Sequence, residues 1–164
     1  MIKNSIIGFL LVCIVVIFSF NYKDSHRPVL GKFPIENQAK DNVPGEPPLY
    51  LYFFFSKNHC PVCLEAIEVL NELPSQFVVT GIVPGGELNK EAELRSATGA
   101  MFNLVPFKDN HRRFTPRYAP TLFGVSRNGD ILFILPGVPG EKKYLNEFLI
   151  DFYSRSLEVL THGR

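Results

Sequence analysis

The strongest constraint on this chain is an apolar run, Leu49 to Phe55, that leads after a few polar residues into two cysteines, Cys60 and Cys63. A continuous apolar run of this length is typical of a strand that is covered on both faces. The residues after the cysteines place apolar side chains at helical spacing, at Leu64, Ile67, Val69 and Leu70. The sequence therefore predicts a dithiol at the point where a buried strand is followed by a helix.

The predicted position of the dithiol has a chemical consequence. Unpaired N–H groups and the macrodipole at a helix N-terminus favour a thiolate, so Cys60 is predicted to lose its proton readily and to act as the nucleophile. Pro61 suits the first helical turn, because its missing N–H costs nothing there. The three-residue step to Cys63 brings the second sulfur onto the same helix face, where it would resolve a mixed disulfide.

Two other interpretations of the cysteine pair stay open. A CxxC pair can be half of a zinc site, but a structural zinc site needs four ligands and the chain has no second CxxC or CxxH pair. The cysteines could also form an inert disulfide, although a bridge that closes so short a loop gives little loop-entropy stabilisation. The position between a strand and a helix favours redox chemistry.

Composition narrows the classes of protein that the chain can represent. Its 164 residues leave room for one domain of ordinary size, which is predicted to span 49–164. The 17 basic and 16 acidic residues balance, so nothing indicates a nucleic-acid partner. Three cysteines are too few for a disulfide scaffold, and two of them form the CxxC pair.

The N-terminal part predicts attachment to a membrane. Ser5 to Phe20 is uncharged and almost wholly apolar, which indicates a signal sequence or a single-pass anchor within 1–20. Aromatic residues occupy the place where a small-residue cleavage motif would lie, so we expect an uncleaved membrane anchor. The basic residues on the two sides of the segment argue against export of the domain, because one, Lys3, precedes it and three, Lys23, Arg27 and Lys32, follow it closely. The terminal position of the segment still favours an extracytoplasmic domain.

Residues 21–48 are polar and rich in proline, and they show no helical or strand period. This composition predicts a semi-extended tether that would hold the domain off the membrane. An alternative stays open for part of this region, since Val29 to Ile35 could pack on the domain as an extra edge strand or hairpin.

The order of predicted elements after the CxxC helix indicates an α/β domain. Leu73-Pro74 closes that helix, and Gly99 stops a second one. The remaining predicted elements are a buried strand from Phe77 to Val83, a helix from Glu87 to Thr98, a short strand from Phe102 to Phe107, a helical or irregular stretch from Asp109 to Tyr118, a hairpin of Thr121–Ser126 and Ile131–Leu135 joined through Asn128-Gly129, and an amphipathic helix from Glu141 to about Val159. The apolar face of the last helix is predicted to comprise Tyr144, Leu145, Phe148, Leu149, Phe152 and Tyr153.

This order of elements resembles the thioredoxin-like family, most closely its membrane-tethered bacterial members that act as extracytoplasmic thiol-disulfide oxidoreductases. The resemblance covers about Leu49 to Phe152 and implies an α/β fold with a central mixed sheet flanked by helices. Three motifs carry it: the strand that leads into Cys60-Pro61-Val62-Cys63, Ala119-Pro120-Thr121 ahead of a strand, and the hairpin Val125-Ser126-Arg127-Asn128-Gly129-Asp130-Ile131.

The resemblance also implies how the site would work. The domain would exchange disulfides with protein thiols or disulfides, without an organic cofactor or a metal, and an upstream membrane redox protein would supply reducing equivalents. Pro120 would be the family's cis-proline. A cis X-Pro bond removes an N–H and would present the Ala119 backbone to an extended partner strand beside Cys60. Pro120 could instead simply begin a strand.

The sequence departs from the family in two places. His59 stands where Trp is typical, and the strand before the cysteines carries no acid, so the usual proton acceptor for Cys63 is missing. Glu65 and Glu68 are the nearest carboxylates along the chain. Either could act as a proton acceptor, and Glu65 is a candidate modulator of the dithiol, although we expect both to face solvent on this helix. His59 could stabilise the Cys60 thiolate or be an exposed loop histidine. Because no imidazole lies between the cysteines, we expect a reductase or general exchanger rather than a strong oxidant.

Two rival functions and one polar cluster complete the sequence predictions. A peroxiredoxin-like peroxidase ranks low, because Lys57 stands where that family has a threonine three residues before its nucleophile. A non-enzymatic module of the same fold could bind a metal ion or a partner peptide through Cys60, Cys63 and a histidine. The cluster of His111, Arg112, Arg113 and Arg117 could recognise an acidic partner or form a solvated face.

Overall fold

The computed structural model of the chain describes residues 30–34, 47–57, 61–114, 120–138 and 141–162. The strands are β1 (Leu49–Phe54), β2 (Phe77–Val83), β3 (Asn103–Pro106), β4 (Thr121–Val125) and β5 (Ile131–Pro136). The helices are α1 (Pro61–Asn71), α2 (Gly85–Leu88), α3 (Glu91–Thr98) and α4 (Lys142–His162), with a 3₁₀ helix at Asp109–Phe114. In the described part of the chain, the strands form one sheet in the order β3-β2-β1-β4-β5.

The central strand β1 is enclosed on all sides. It pairs in parallel with β2, from Leu49 opposite Phe77 to Phe54 opposite Ile82. On its other edge it pairs antiparallel with β4, so that Phe54 lies opposite Thr121. Every residue of β1 is buried. The continuous apolar run is therefore explained by a strand with neighbours on both edges and packed layers on both faces.

Side chains alternate along β1 and divide the interior into two cores. On one face, Leu49, Leu51 and Phe53 join the first core, which also contains buried residues of α1, α3 and α4. On the other face, Tyr50, Tyr52 and Phe54 join a second core that is mainly aromatic. The remaining buried members of the second core are Phe33, Ile82, Phe123, Val125 and Ile131. The predicted central mixed sheet flanked by helices is confirmed.

The helix predicted after β2 is wrong in one respect. The single helix predicted from Glu87 to Thr98 is two helices, α2 and α3, separated at Asn89 and Lys90. On the two sides of the break, the side chain of Glu87 in α2 is bonded to residues beyond β1, and Leu94 of α3 is buried in the first core. Gly99 ends α3 as predicted, in a left-handed conformation with φ of 73°.

The apolar faces of two helices are narrower than predicted. In α1, Leu64 is 47% exposed, whereas Ala66, Ile67, Val69 and Leu70 are buried as part of the first core. In α4, the buried residues Leu145, Leu149 and Tyr153 recur every fourth position, and Tyr144 is 59% exposed. Each helix contacts the sheet along a stripe, so residues at the border of the predicted face reach solvent.

Residues 30–34 pack against the turn between β4 and β5. Lys32 forms an antiparallel bridge with Asp130, and the Phe33 N–H donates to the Gly129 carbonyl at 2.8 Å. The Phe33 ring is 3% exposed and stacks on Tyr52, with ring centroids 4.3 Å apart. This packing is the alternative expected for Val29 to Ile35.

Residues 47–48, at the end of the predicted tether, also pack on the domain: Pro48 is buried, and the Pro47 carbonyl accepts a hydrogen bond from the Tyr153 hydroxyl at 3.1 Å. Residues 21–29 and 35–46 of the tether and the apolar segment Ser5–Phe20 lie outside the described residues, so the proposed division into 1–20, 21–48 and 49–164 stays a prediction. Within the described ranges, no helix has the length and apolar character needed to cross a membrane.

Replacement of Phe33 by Ala is expected to lower the free energy of unfolding by about 3 kcal/mol, because a buried aromatic ring is removed from the second core. The matched control is Leu30→Ala in the same segment, where the side chain is 60% exposed and a change within about 0.5 kcal/mol is expected. Chemical denaturation of both variants measures the difference. Equal effects at the two positions would contradict the packing of this segment in the core.

Gly124 in β4 provides space for an aromatic ring of the neighbouring strand. A Cβ atom added at Gly124 would lie 2.0 Å from Cε1 of Phe133, which is in β5. Gly124 is paired directly with Phe133 in the sheet register. The absence of a side chain at this position therefore allows the Phe133 ring to cover the strand.

Gly124→Ala is expected to destabilise the fold by about 1–3 kcal/mol or more, since the Phe133 ring or the strand must shift. Gly86→Ala is the control: an added Cβ there meets nothing within 4 Å, and alanine favours the helix by about 0.5–1 kcal/mol. Thermal unfolding of both variants gives the comparison. A Gly124→Ala protein as stable as the wild type would show that the ring does not depend on this space.

Candidate dithiol site

Of the two cysteines of the predicted dithiol, only Cys63 is among the described residues, and it lies in the first turn of α1. Its side chain is 2% exposed and packs in the first core. Cys63 is disulfide-bonded, and since it is the only cysteine among the described residues, its partner lies outside them. Cys60 and His59 also lie outside the described residues. For Cys63 the structure thus gives a buried, oxidised sulfur at the start of the helix that follows β1.

Pro120 lies at the same end of the sheet as the start of α1. It is buried and directly precedes β4, whose first residue, Thr121, is paired with Phe54 at the end of β1. The Pro120 carbonyl accepts a hydrogen bond from the Gly137 N–H at 2.8 Å, which fixes the chain just after β5 against this point. Ala119 lies outside the described residues, and the cis bond and the contact with Cys60 stay predictions.

The two carboxylates nearest to the cysteines along the chain are directed away from the first core. Glu65 and Glu68 are both exposed, as expected from the sequence. Glu68 forms an ion pair with Lys142 at the start of α4, and this hydrogen bond raises the pKa of Lys142 above its usual value. The ion pair connects α1 with α4, and both carboxylates lie on the exposed side of α1, whereas Cys63 is buried.

The prediction that His111 belongs to an exposed polar cluster at 111–117 is wrong. His111 is 4% exposed, and its Nδ1 accepts a hydrogen bond from the Lys108 N–H at 3.1 Å. Its ring is stacked near Phe33 with centroids 5.9 Å apart, because the 3₁₀ helix folds over the second core. Arg112 is exposed and pairs with Asp109. Arg117 and the side chain of Arg113 lie outside the description.

One residue near the site was missed from the sequence, Glu87 of α2. Ser56 Oγ donates to Glu87 Oε1 at 2.5 Å, and the Lys57 N–H donates to Glu87 Oε2 at 2.9 Å. We call these two hydrogen bonds the Glu87 bridge. The sequence does contain a signal for this bridge, because Ser56 follows β1 and Glu87 follows β2. The carboxyl ends of parallel neighbouring strands lie at one edge of the sheet, so the two residues are brought together.

The Lys57 side chain takes part in a second set of contacts at this edge. Its Nζ forms an ion pair and a hydrogen bond with Glu93 of α3, and Lys90 Nζ lies 3.8 Å from the other oxygen of the same carboxylate. The hydrogen bond from Lys57, followed by its charge, lowers the pKa of Glu93 below its usual value. Because Glu93 is exposed, solvent screens this interaction strongly.

The Lys57–Glu93 pair predicts a pH-dependent coupling. A carboxyl with a lowered folded-state pKa adds stability above its unfolded-state pKa, and this stability is lost as pH falls through the folded-state pKa. A double-mutant cycle with Lys57→Met and Glu93→Gln should therefore show a favourable coupling at pH 7 that weakens as acid protonates Glu93 and is screened in about 1 M salt. A coupling of unchanged size at acidic pH would contradict this assignment.

The rival metal-binding function needs several ligand side chains close together. Within the ranges that the structure describes, no group of three or more His, Cys, Asp and Glu side chains is arranged to hold a metal ion. A site built from Cys60, Cys63 and His59 would include two residues outside those ranges.

Comparison with solved structures identifies the fold. A thiol:disulfide interchange protein of the thioredoxin family from Chlorobium tepidum matches with a TM-score of 0.51 and 17% identity, over 63% of this chain and 79% of that chain. An uncharacterized thioredoxin-like protein from Porphyromonas gingivalis matches with a TM-score of 0.53 and 17% identity, over 71% and 78%. A secreted Mycobacterium tuberculosis disulfide oxidoreductase homologous to E. coli DsbE gives 0.50 and 15%, over 63% and 81%.

Comparison of the sequence itself gives no relative: no protein-family model matches the chain, and no curated protein matches it. The structural likeness nevertheless agrees with the sheet order and with the helix that begins after β1. The chain has a thioredoxin-like fold. Its similarity to thiol:disulfide interchange proteins is a similarity of fold at low sequence identity.

Proposed function

We propose that this chain is a thiol-disulfide oxidoreductase that exchanges disulfides with protein substrates through Cys60 and Cys63. The observation that carries the proposal is Cys63, a buried and disulfide-bonded residue in the first turn of the helix that follows the central strand of a thioredoxin-like fold. Of the two other cysteines, Cys60 precedes it by three residues and Cys13 lies in the N-terminal apolar run. We assign Cys60 as the disulfide partner.

Burial of Cys63 separates the roles of the two sulfurs. A protein disulfide has poor access to a side chain that is 2% exposed, so the attacking thiolate is Cys60, which is stabilised by the N-terminus of α1. Cys60 Sγ attacks one sulfur of the substrate disulfide, and the other substrate sulfur leaves as a thiolate. The Cys63 thiolate then attacks Cys60 Sγ in the mixed disulfide and releases the second substrate sulfur.

This sequence of steps conserves electrons and atoms. The substrate gains two electrons and ends as a dithiol, and the enzyme ends with a Cys60–Cys63 disulfide. A dithiol protein must then reduce that disulfide before the next turnover. We assign this role to an upstream membrane redox protein. Because Pro61 and Val62 place no imidazole between the cysteines, we assign the domain to reduction or general exchange rather than strong oxidation.

Pro120 and Ala119 are proposed to dock the substrate backbone. Pro120 is buried at the end of the sheet where α1 begins, and Thr121 after it is held in register with the last residue of β1. An extended substrate segment would pair with the Ala119 backbone and bring its disulfide to Cys60. His59, adjacent to Cys60, is a candidate modulator of the thiolate.

We propose that the domain works outside the cytoplasm, tethered to the cell inner membrane through Ser5–Phe20. The support for this location is the uncharged apolar N-terminal run and the polar, proline-rich residues that follow it. A protein of similar fold from Mycobacterium tuberculosis is described as secreted.

Cys60→Ala is expected to abolish reduction of insulin disulfides by the full-length chain with dithiothreitol as donor, because the attacking sulfur is lost. Cys13→Ala is the matched control and should retain wild-type activity, since that cysteine lies in the N-terminal apolar run. Turbidity of the reduced insulin chains gives the rate.

The Cys63→Ala variant extends the same test. Without the resolving sulfur, Cys60 should remain bound to substrate proteins as a mixed disulfide, which non-reducing electrophoresis and mass spectrometry detect. Wild-type protein that lacks exchange activity and carries one equivalent of copper or zinc would overturn the enzymatic proposal in favour of the metal-binding module.

A further inference from the structure

The chain segment that leads from β1 to Cys60 leaves the sheet before it reaches the cysteine. The Phe55 N–H donates to the Ile82 carbonyl at 3.3 Å, which continues the pairing with β2 one residue past the end of β1. Ser56 and Lys57 follow, and at this level of the sheet β2 has ended at Val83. The Glu87 bridge provides hydrogen-bond acceptors to both of these residues beyond the strand.

Glu87 is held in place by its own backbone and by its neighbour Leu88. The Glu87 N–H donates to the Pro84 carbonyl at 2.9 Å in the turn that begins α2. The next residue, Leu88, is partly buried and packs against the first core. Glu87 is itself partly buried, so its carboxylate contacts the segment from a fixed position and is less screened than the exposed Glu93.

The Glu87 bridge ends only three residues before Cys60. Pro61, the first residue of α1, directly follows Cys60. Three residues span at most about 11 Å, so the Glu87 bridge at Lys57 and the start of α1 fix the two ends of the short connection that contains Cys60 and restrict its backbone conformation. The reactivity of a cysteine in this position depends on its alignment with the helix N–H groups. We propose that Glu87 is a positioning residue that holds the segment before Cys60 and thereby sets the thiol pKa and the exchange rate of Cys60. This inference rests on the proposed role of Cys60 as the nucleophile.

Two variants separate position from charge at Glu87. Glu87→Gln removes the charge but keeps the reach; its amide oxygen can accept from the Lys57 N–H while its NH₂ donates to the Ser56 hydroxyl. Glu87→Asp keeps the charge but shortens the side chain, so it cannot reach both groups. If Glu87 acts by position, the Gln variant resembles the wild type and the Asp variant does not.

The experiment measures the pH dependence of Cys60 alkylation in the reduced full-length chain, together with the reduction potential and the insulin reduction rate. For Glu87→Asp and Glu87→Ala we expect a higher thiol pKa and a rate about tenfold lower, in line with the cost of a misplaced reacting group. Glu87→Gln is expected to stay within about threefold of the wild type. Glu91→Ala is the control, because the Glu91 carboxylate bonds Arg95 within α3.

The possible results distinguish this proposal from its alternatives. A Glu87→Asp protein that loses thermal stability but keeps the wild-type thiol pKa, potential and rate would reduce Glu87 to a structural role and overturn the proposal. An altered Gln variant beside a normal Asp variant would assign the effect to charge and would also overturn it. If the wild type fails to reduce insulin, the proposed function is wrong; the alkylation profiles of Cys60 still decide the role of Glu87.

Discussion

The arrangement of this site depends on one strand with no free surface. β1 is paired on both edges and covered on both faces along its whole length, so its carboxyl end is held in place by the neighbouring strands. Three features relevant to the site meet at that end: the start of α1 with Cys63, the residue Pro120 before β4, and the Glu87 bridge from α2. Because β1 is rigid, it fixes the positions of these three features relative to one another. Disulfide exchange requires such alignment, since the attacking and leaving sulfurs must be nearly collinear.

The sequence predicted those parts of the fold whose signals are local. The bounds of β2, the start of α1 at Pro61, the stop at Gly99 and the Asn128-Gly129 turn all follow from hydrophobic period or from the backbone preferences of Pro and Gly. Such signals act within a few residues. They were sufficient for the element order and hence for the fold class.

The features that the sequence did not predict are set by contacts between distant segments. His111 looks like part of a basic surface cluster, but the 3₁₀ helix directs its ring toward Phe33, which is remote in sequence. The contacts of Glu87 likewise involve Ser56 and Lys57 at the end of another strand. Periodicity within one helix carries no information about such partners. Cys60 and Ala119 lie outside the described residues, so their roles still rest on the sequence.

The attachment of residues 30–34 has a consequence for the orientation of the domain. These residues bind the β4–β5 turn, which lies at the end of the sheet opposite to Pro120 and the start of α1. The length of β1 separates the two ends by about 20 Å. If Ser5–Phe20 is a membrane anchor, as proposed, the chain enters the domain at the end of the sheet that lies farther from the start of α1.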